Sequence, residues 1–417
     1  MRGRHRALTV MLSLVLAACD QPDAPLLPYG ASHCRSLALH DEDGRLVVGV
    51  EDMAVDHQRG MLYLAAYNRR IALDETPAPS LYPGGLLALA LDDLEKGGES
   101  LTVTSLTRAD HDAMRPHGLD LWIGQNGDGN GDRNGNGNAD HKRILYSIDR
   151  APYHDSRGRL ITDQPRIIAL GLDESGTLIT HITHQSFIGT GLCHPNMVVA
   201  LAPDRLLISN DLASCSKSGR WADQMFNRAN GAVALLDAQG ATKLRDDLAF
   251  ANGLAVADLD GRPHLIIAET RGKNLRILDL GDVRNPAPAP ALAPAPALAG
   301  LPKLIALAAA PDNINRGDDG AFYIAALDHL LSYALFRAFN APFSQPDSII
   351  YRLELTADGR VHLSKVLKID GKVFPGATSA VKSGSHLIMG SAFGEGLAIC
   401  TLHSAKEKTT MGQGDKP

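Results

Sequence analysis

The chain has 417 residues, with 41 Lys and Arg against 47 Asp and Glu, a formal net charge of −6, and 44% hydrophobic residues. A mildly acidic balance with no basic run excludes a protein that grips nucleic acid through phosphate contacts. The length suits two average domains or one large all-β domain. No segment beyond the N-terminus is apolar and long enough to span a bilayer, which takes ~20 residues.

Arg2, Arg4 and Arg6 precede an uncharged apolar stretch from Ala7 to Leu16, which closes on Leu16-Ala17-Ala18-Cys19. A positive start, a short apolar run and small residues before a cleavage point make residues 1–18 a secretory signal. The Cys after Leu-Ala-Ala resembles a bacterial lipobox, with Cys19 lipidated and residues 19–33 a linker. A short membrane anchor with an incidental Cys is the alternative, but the stretch falls below spanning length. The expectation is an exported lipoprotein on the periplasmic side of a bacterial cell, bound to the membrane by its N-terminal lipid only.

Four further cysteines follow: Cys34, Cys193, Cys215 and Cys400. In an oxidising compartment an even number permits two disulfides, in any of three pairings. The favoured set joins the chain ends through Cys34–Cys400 and the close pair Cys193–Cys215. Free buried thiols at Cys193 and Cys215 are the alternative.

Taken in chain order, six stretches share one pattern: a polar residue, a short aliphatic strand, a turn and a second aliphatic strand. They are GVEDMAVDHQRGMLYLAAY, RPHGLDLWIG, HPNMVVALAPDRLLISND, FANGLAVADLDGRPHLIIAET, PDNINRGDDGAFYIAAL and PGATSAVKSGSHLIMGSAF, with markers Asp52, His117, Asn196, Asn252, Asn313 and Thr378. A period of roughly 60 residues built from short strands predicts an all-β, six-bladed β-propeller with four-stranded blades over residues 34–403. Only Asp328 to Asn340 looks helical. The Pro-Ala run at residues 286–299 reads as an inter-blade loop. Residues 404–417 read as a polar tail.

Each marker stands just before a strand. In a propeller the innermost strands line a central channel, so the six markers meet at one mouth. Glu51, Asp52, Asn196, Asn252, Asp312 and Asn313 then supply carboxylate and amide oxygens. Such hard donors suit Ca2+, whereas zinc prefers nitrogen and sulfur and magnesium a tighter octahedron. An Asn before a strand is often only a turn former. Several at matching repeat positions point to a shared site.

The segments GVEDMAVD, RPHGL, NMVVALAP, LAFANGLAVA, PDNI and GATSAV, with PGGLLALALDD and the flanking Cys34 and Cys400, make the chain resemble the paraoxonases and bacterial arylesterases. The likeness runs over most of residues 34–402, and the wider group includes gluconolactonases and strictosidine synthase-like propellers. The resemblance implies that Glu51, Asn196, Asn252, Asp312 and Asn313 bind a catalytic calcium. It implies that Asp52 binds a second, structural calcium and that His117 is the general base. Phe250 and Thr378 match pocket-lining positions, and Cys34 with Cys400 matches a disulfide tying the ends together. The implied reaction is calcium-dependent hydrolysis of a small lactone or aryl ester by water.

Two departures stand out. The family's second histidine has no counterpart in the segment Ile144 to Asp149, and Met197 replaces an aspartate on the structural calcium. An insertion, NGDGNGDRNGNGNAD at residues 126–140, alternates oxygen ligands with glycine. Asn130, Asp132 and Asn134 resemble the start of an EF-hand loop, but His141 stands where the bidentate Glu belongs. A metal-free loop is equally consistent with it. There is no G-x-S-x-G elbow and no P-loop. Two rival readings remain: a gluconolactonase-like enzyme for sugar lactones, and a non-catalytic propeller that keeps calcium for stability while binding a ligand or protein.

Overall fold

The protein is described here by a computed structural model covering residues 24, 30–69, 81–107, 114–124, 143–154, 160–161, 164–187, 189–259, 261–281, 301–339 and 344–403. Six antiparallel sheets follow one another along the chain, each ordered from inside to outside. Their inner strands are Val50–Asp56 (blade 1), Pro116–Ile123 (blade 2), Pro195–Ala202 (blade 3), Ala251–Leu259 (blade 4), Ala310–Arg316 (blade 5) and Ala377–Ser383 (blade 6). Each inner strand packs against the next, and that of blade 6 returns to that of blade 1. The ring is a six-bladed β-propeller, as the repeats predict.

The second strands show why the sequence reads as continuous apolar runs. In Met61–Tyr67, Leu62, Leu64 and Ala66 pack toward blade 6, while Met61, Tyr63 and Ala65 pack toward blade 2. In Phe322–Leu327, Phe322, Ile324 and Ala326 face blade 4, while Tyr323 and Ala325 face blade 6. Side chains alternate faces along a strand, and here both faces are buried, so both must be apolar. Six hydrophobic clusters result, one in each interface between blades. Ile324 is fully buried; cutting it back to Ala would cost about 2–5 kcal/mol.

Blade 6 takes three strands from the end of the chain and its fourth strand, Gly30–His40, from the beginning, and the short strand Ser100–Thr102 pairs in parallel with that strand's far edge. That strand starts earlier than the Cys34 boundary expected from the sequence. Cys34 lies opposite Cys400 in the antiparallel register, and the two form a disulfide with Cα atoms 4.0 Å apart. Cys193 is bonded to Cys215. Both favoured pairings are therefore present, and the free-thiol alternative is not.

The expected helix forms at Leu330–Phe339, between the second and third strands of blade 5. A second helix, Lys217–Met225, occupies the same position in blade 3 and was not expected. It is capped by Ser216, whose hydroxyl accepts from the Gly219 amide at 3.1 Å. Both helices lie at the end of the ring where the inner strands begin. Among the described residues no helix is long and apolar enough to cross a membrane.

Candidate metal centre and catalytic funnel

The inner strands share an irregularity that builds the site. Each loses pairing register near its start: between Val50 and Asp52, Pro116 and Leu119, Pro195 and Val198, Ala251 and Leu254, Pro311 and Ile314, and Ala377 and Ser379. The residues skipped include Glu51, His117, Asn196, Asn252, Asp312, Asn313 and Thr378. A bulge leaves its extra residue unpaired and re-aims the side chain. Here it turns one or two polar residues per blade into the mouth of the channel. In blade 1 the bulged residue is Glu51, so the repeat marker Asp52 sits one residue deeper.

Two glycines let adjacent bulges close up. A Cβ on Gly118 would stand 2.5 Å from the Asn196 carbonyl oxygen, and one on Gly253 would stand 2.4 Å from that of Asp312. No real Cβ tolerates either contact. The Gly in Pro-His-Gly and in Ala-Asn-Gly is thus a requirement of the funnel's width.

The three asparagines are oriented alike. Asn196 Nδ2 donates to Asp211 at 3.3 Å. Asn252 Nδ2 donates to Thr270 at 3.0 Å and to Asp312 at 2.7 Å. Asn313 Nδ2 donates to the Glu51 carbonyl at 3.1 Å. Each amide nitrogen is tied back into the protein, and each Oδ1 is buried with no hydrogen-bond partner. A buried acceptor left unmade costs about 1–3 kcal/mol. Three at one mouth need a common explanation.

The carboxylates complete the ring. Asp312 is buried, which pushes its pKa up to about 7 against the opposing effects of Asn252 and Arg69. Glu51 accepts through Oε2 from both His117 Nδ1 and Arg69 Nη2, the latter nitrogen lying 3.1 Å from the same imidazole nitrogen. Thr378 is buried, and its hydroxyl donates to the Glu51 carbonyl at 2.8 Å, clamping blade 6 to blade 1. His117 is also buried. Burial, together with Arg150, His194 and Arg337, holds its pKa well below the usual imidazole value, so it is neutral near pH 7.

Below this layer Asp52 is fully buried and already satisfied. Oδ2 accepts from Leu119 N at 2.9 Å, and Oδ1 from Met53 N at 2.9 Å and Asn315 Nδ2 at 3.4 Å. Burial pushes its pKa up to about 8, against these backbone bonds. Met197, beside Asn196, belongs to the apolar packing between blades 3 and 4. Phe250 precedes the blade 4 bulge with φ +67°, a left-handed conformation uncommon for an aromatic residue, and the Arg271 guanidinium lies 5.5 Å from its ring.

Sequence reasoning missed a second layer of residues, each following the end of a second strand: Arg150, Asp211 and Thr270, with Arg69 one place further on. Asp211 bonds His194 Nδ1 and lies 3.8 Å from Arg150. Burial would raise its pKa, but His194, Arg150 and Asn196 together bring it below the usual carboxylate range. These residues share a position but not a chemistry, so no repeated letter marks them. The signal available was the register itself.

Among the described residues no three His, Cys, Asp or Glu side chains cluster as a metal site. The donor set is instead rich in amide oxygen. Cys19 and the loop residues Asn130, Asp132 and Asn134 lie outside the described residues.

No protein-family model and no curated protein matches the chain. Solved structures similar to it include the calcium-binding protein regucalcin from Agrobacterium tumefaciens, at 12% identity and TM-score 0.39, covering 87% of this chain and 94% of that one. A gluconolactonase from Xanthomonas campestris matches at 13% identity and TM-score 0.37, covering 92% and 99%. The soluble aldose sugar dehydrogenase from Escherichia coli matches at 12% identity and TM-score 0.38, covering 91% and 99%. At such scores nothing about this chain's chemistry follows from them.

Proposed function

We propose that the protein is a calcium-dependent hydrolase of lactones or aryl esters, exported and anchored through a lipid on Cys19. The observation that carries the metal is the set of three buried, partnerless amide oxygens on Asn196, Asn252 and Asn313. With the Asp312 carboxylate and Glu51 Oε1 they form a hard, flexible, all-oxygen donor set that fits calcium and neither zinc nor a strict magnesium octahedron. When bound, such an ion supplies a Lewis acid for an ester carbonyl.

The chain's own residues do the rest. Glu51 Oε2 accepts the Nδ1 proton of His117, which fixes the tautomer and leaves Nε2 as the basic nitrogen. Glu51 thereby takes the orienting role that a second histidine plays in the family the sequence resembles. A neutral, buried His117 is in the correct state to take a proton from water. Asp211 and Thr270 hold the amide nitrogens of Asn196 and Asn252, so that the amide oxygens are presented without reorganisation. Asp52 already accepts three hydrogen bonds, and the proposal therefore covers one calcium.

The test is turnover of phenyl acetate and of a medium-chain lactone, with calcium or with chelator, in the wild type, Asn252→Ala and His117→Gln. Activity abolished by chelator and lowered at least 100-fold in both variants is expected. No turnover of either substrate, with chelator still lowering the melting temperature, would make calcium structural and favour the ligand-binding reading.

A further inference from the structure

We infer that the funnel mouth selects substrates carrying an anionic group, a carboxylate or a phosphate, through Arg69, Arg115 and Arg150 around the phenol of Tyr67. This deepens the hydrolase reading and rests on it for the reaction, though not for the binding. The Arg69 guanidinium lies 5.4 Å from the Tyr67 ring centroid and that of Arg115 lies 5.7 Å from it. Arg150 enters from the end of a blade 2 strand, its Nε donating to the Pro195 carbonyl at 3.2 Å. Arg69 also touches His117, so the cluster borders the reacting groups.

The charges at this mouth do not balance. Among the described residues Glu51 pairs with Arg69, the buried Asp312 also faces Arg69, and Asp211 is shared between His194 and Arg150, which leaves Arg115 and Arg337 in excess. For Arg115 no carboxylate among the described residues lies within ion-pair distance of the guanidinium. Its backbone amide, not its side chain, meets Asp149 at 2.9 Å. From blade 5, Arg337 on the helix Leu330–Phe339 is close enough to depress both His117 and Arg150, whose pKa falls to about 10 through burial and the positive charges of Arg69, Arg337 and Arg220.

The whole chain carries a net charge of −6, so this positive mouth is a local construction. Crowded, half-buried guanidinium groups repel one another and lose hydration, costs that an incoming oxyanion relieves. Arginine is suited to that task because its planar fork matches carboxylate and phosphate. A mouth with an excess of one sign also draws ligands of the other from solution.

The experiment uses the full chain and calorimetry with ring mimics that cannot be hydrolysed. These are 3-oxocyclopentanecarboxylate and its carboxamide, with inorganic phosphate as competitor. The carboxylate should bind about tenfold tighter than the carboxamide, the discrimination of one charge-assisted contact. That preference should shrink in Arg115→Gln and in Arg337→Gln, and shrink with added salt. Arg337 is exposed, so its variant folds whatever Arg115→Gln does. Displacement by phosphate would extend the class to phosphorylated substrates, and its failure would confine it to carboxylates. Equal binding of the two mimics in the wild type, or a preference unchanged in both variants, overturns the inference. Turnover of lactones without that preference would sink the inference alone; preference without any turnover would sink the hydrolase reading alone.

Discussion

At the closure of the ring, Cys34 meets Cys400 in a paired antiparallel register, packed with Leu387, Met389 and Ala398, while Leu37, Leu397 and Ile399 are buried on the other face of the same strands. At the mouth of the channel, the corresponding polar residues of six inner strands drop out of register, and Asn196, Asn252 and Asn313 each bury an acceptor with nothing to accept. The two regions use strand pairing differently. Closure holds the ring together with unbroken pairing from Cys34 to Leu37 and a cross-link, while the mouth carries buried polar groups with no partner in the protein. A site of this kind is destabilising until it is filled, and the surrounding blades must make up the difference.

That contrast can be broken most severely at the closure. Replacing both Cys34 and Cys400 with Ser opens a loop with a sequence separation of 366 residues and should cost about 4–5 kcal/mol, measured by denaturant unfolding. The same change should leave calcium affinity intact once the ring is folded. Next comes the funnel's width. Gly253→Ala sets a Cβ against the Asp312 carbonyl and should cost about 2–3 kcal/mol, with loss of calcium binding.

Smaller effects are expected at single side chains. In chelator, Asn196→Ala should cost under about 1 kcal/mol, because the deleted oxygen had no partner and only the bond to Asp211 is lost. With calcium present the same variant should lose most of the metal's stabilisation. The smallest effect belongs to a satisfied group on the outer rim. The Gly371 amide and Lys368 hold the Asp347 carboxyl below the usual range. A depressed folded-state pKa stabilises above the unfolded value, and that contribution vanishes as pH falls through the folded one. Asp347→Asn should therefore cost about 0.5 kcal/mol at pH 7, allowing for solvent screening, and nothing in strong acid.

The ring was legible because burial on both faces turns second strands such as MLYLAAY and FYIAAL into apolar runs at a steady spacing. The residues lining the mouth were legible because the bulge puts a polar residue at the same place before each run. The supporting layer was not. Arg150, Asp211 and Thr270 share a position after a second strand, but one donates to a carbonyl, one holds an amide and a histidine, and one accepts from an amide while donating to the Pro311 carbonyl. Different chemistry at equal register leaves no repeated letter. Arg69 was hidden for another reason: it approaches Glu51 and His117 from a loop, and no strand pattern announces it. Asp52 shows the converse, since the repeat marks it although the bulge passes to Glu51.

On this reading the three buried amide oxygens of Asn196, Asn252 and Asn313 await a cation. Calorimetric titration of the protein with calcium, beside Asn196→Ala, Asn252→Ala and Asn313→Ala, tests it most directly. The account predicts one calcium bound by the wild type and at least tenfold weaker binding in each variant. A wild type that binds no calcium, or variants that bind it as tightly, would contradict it.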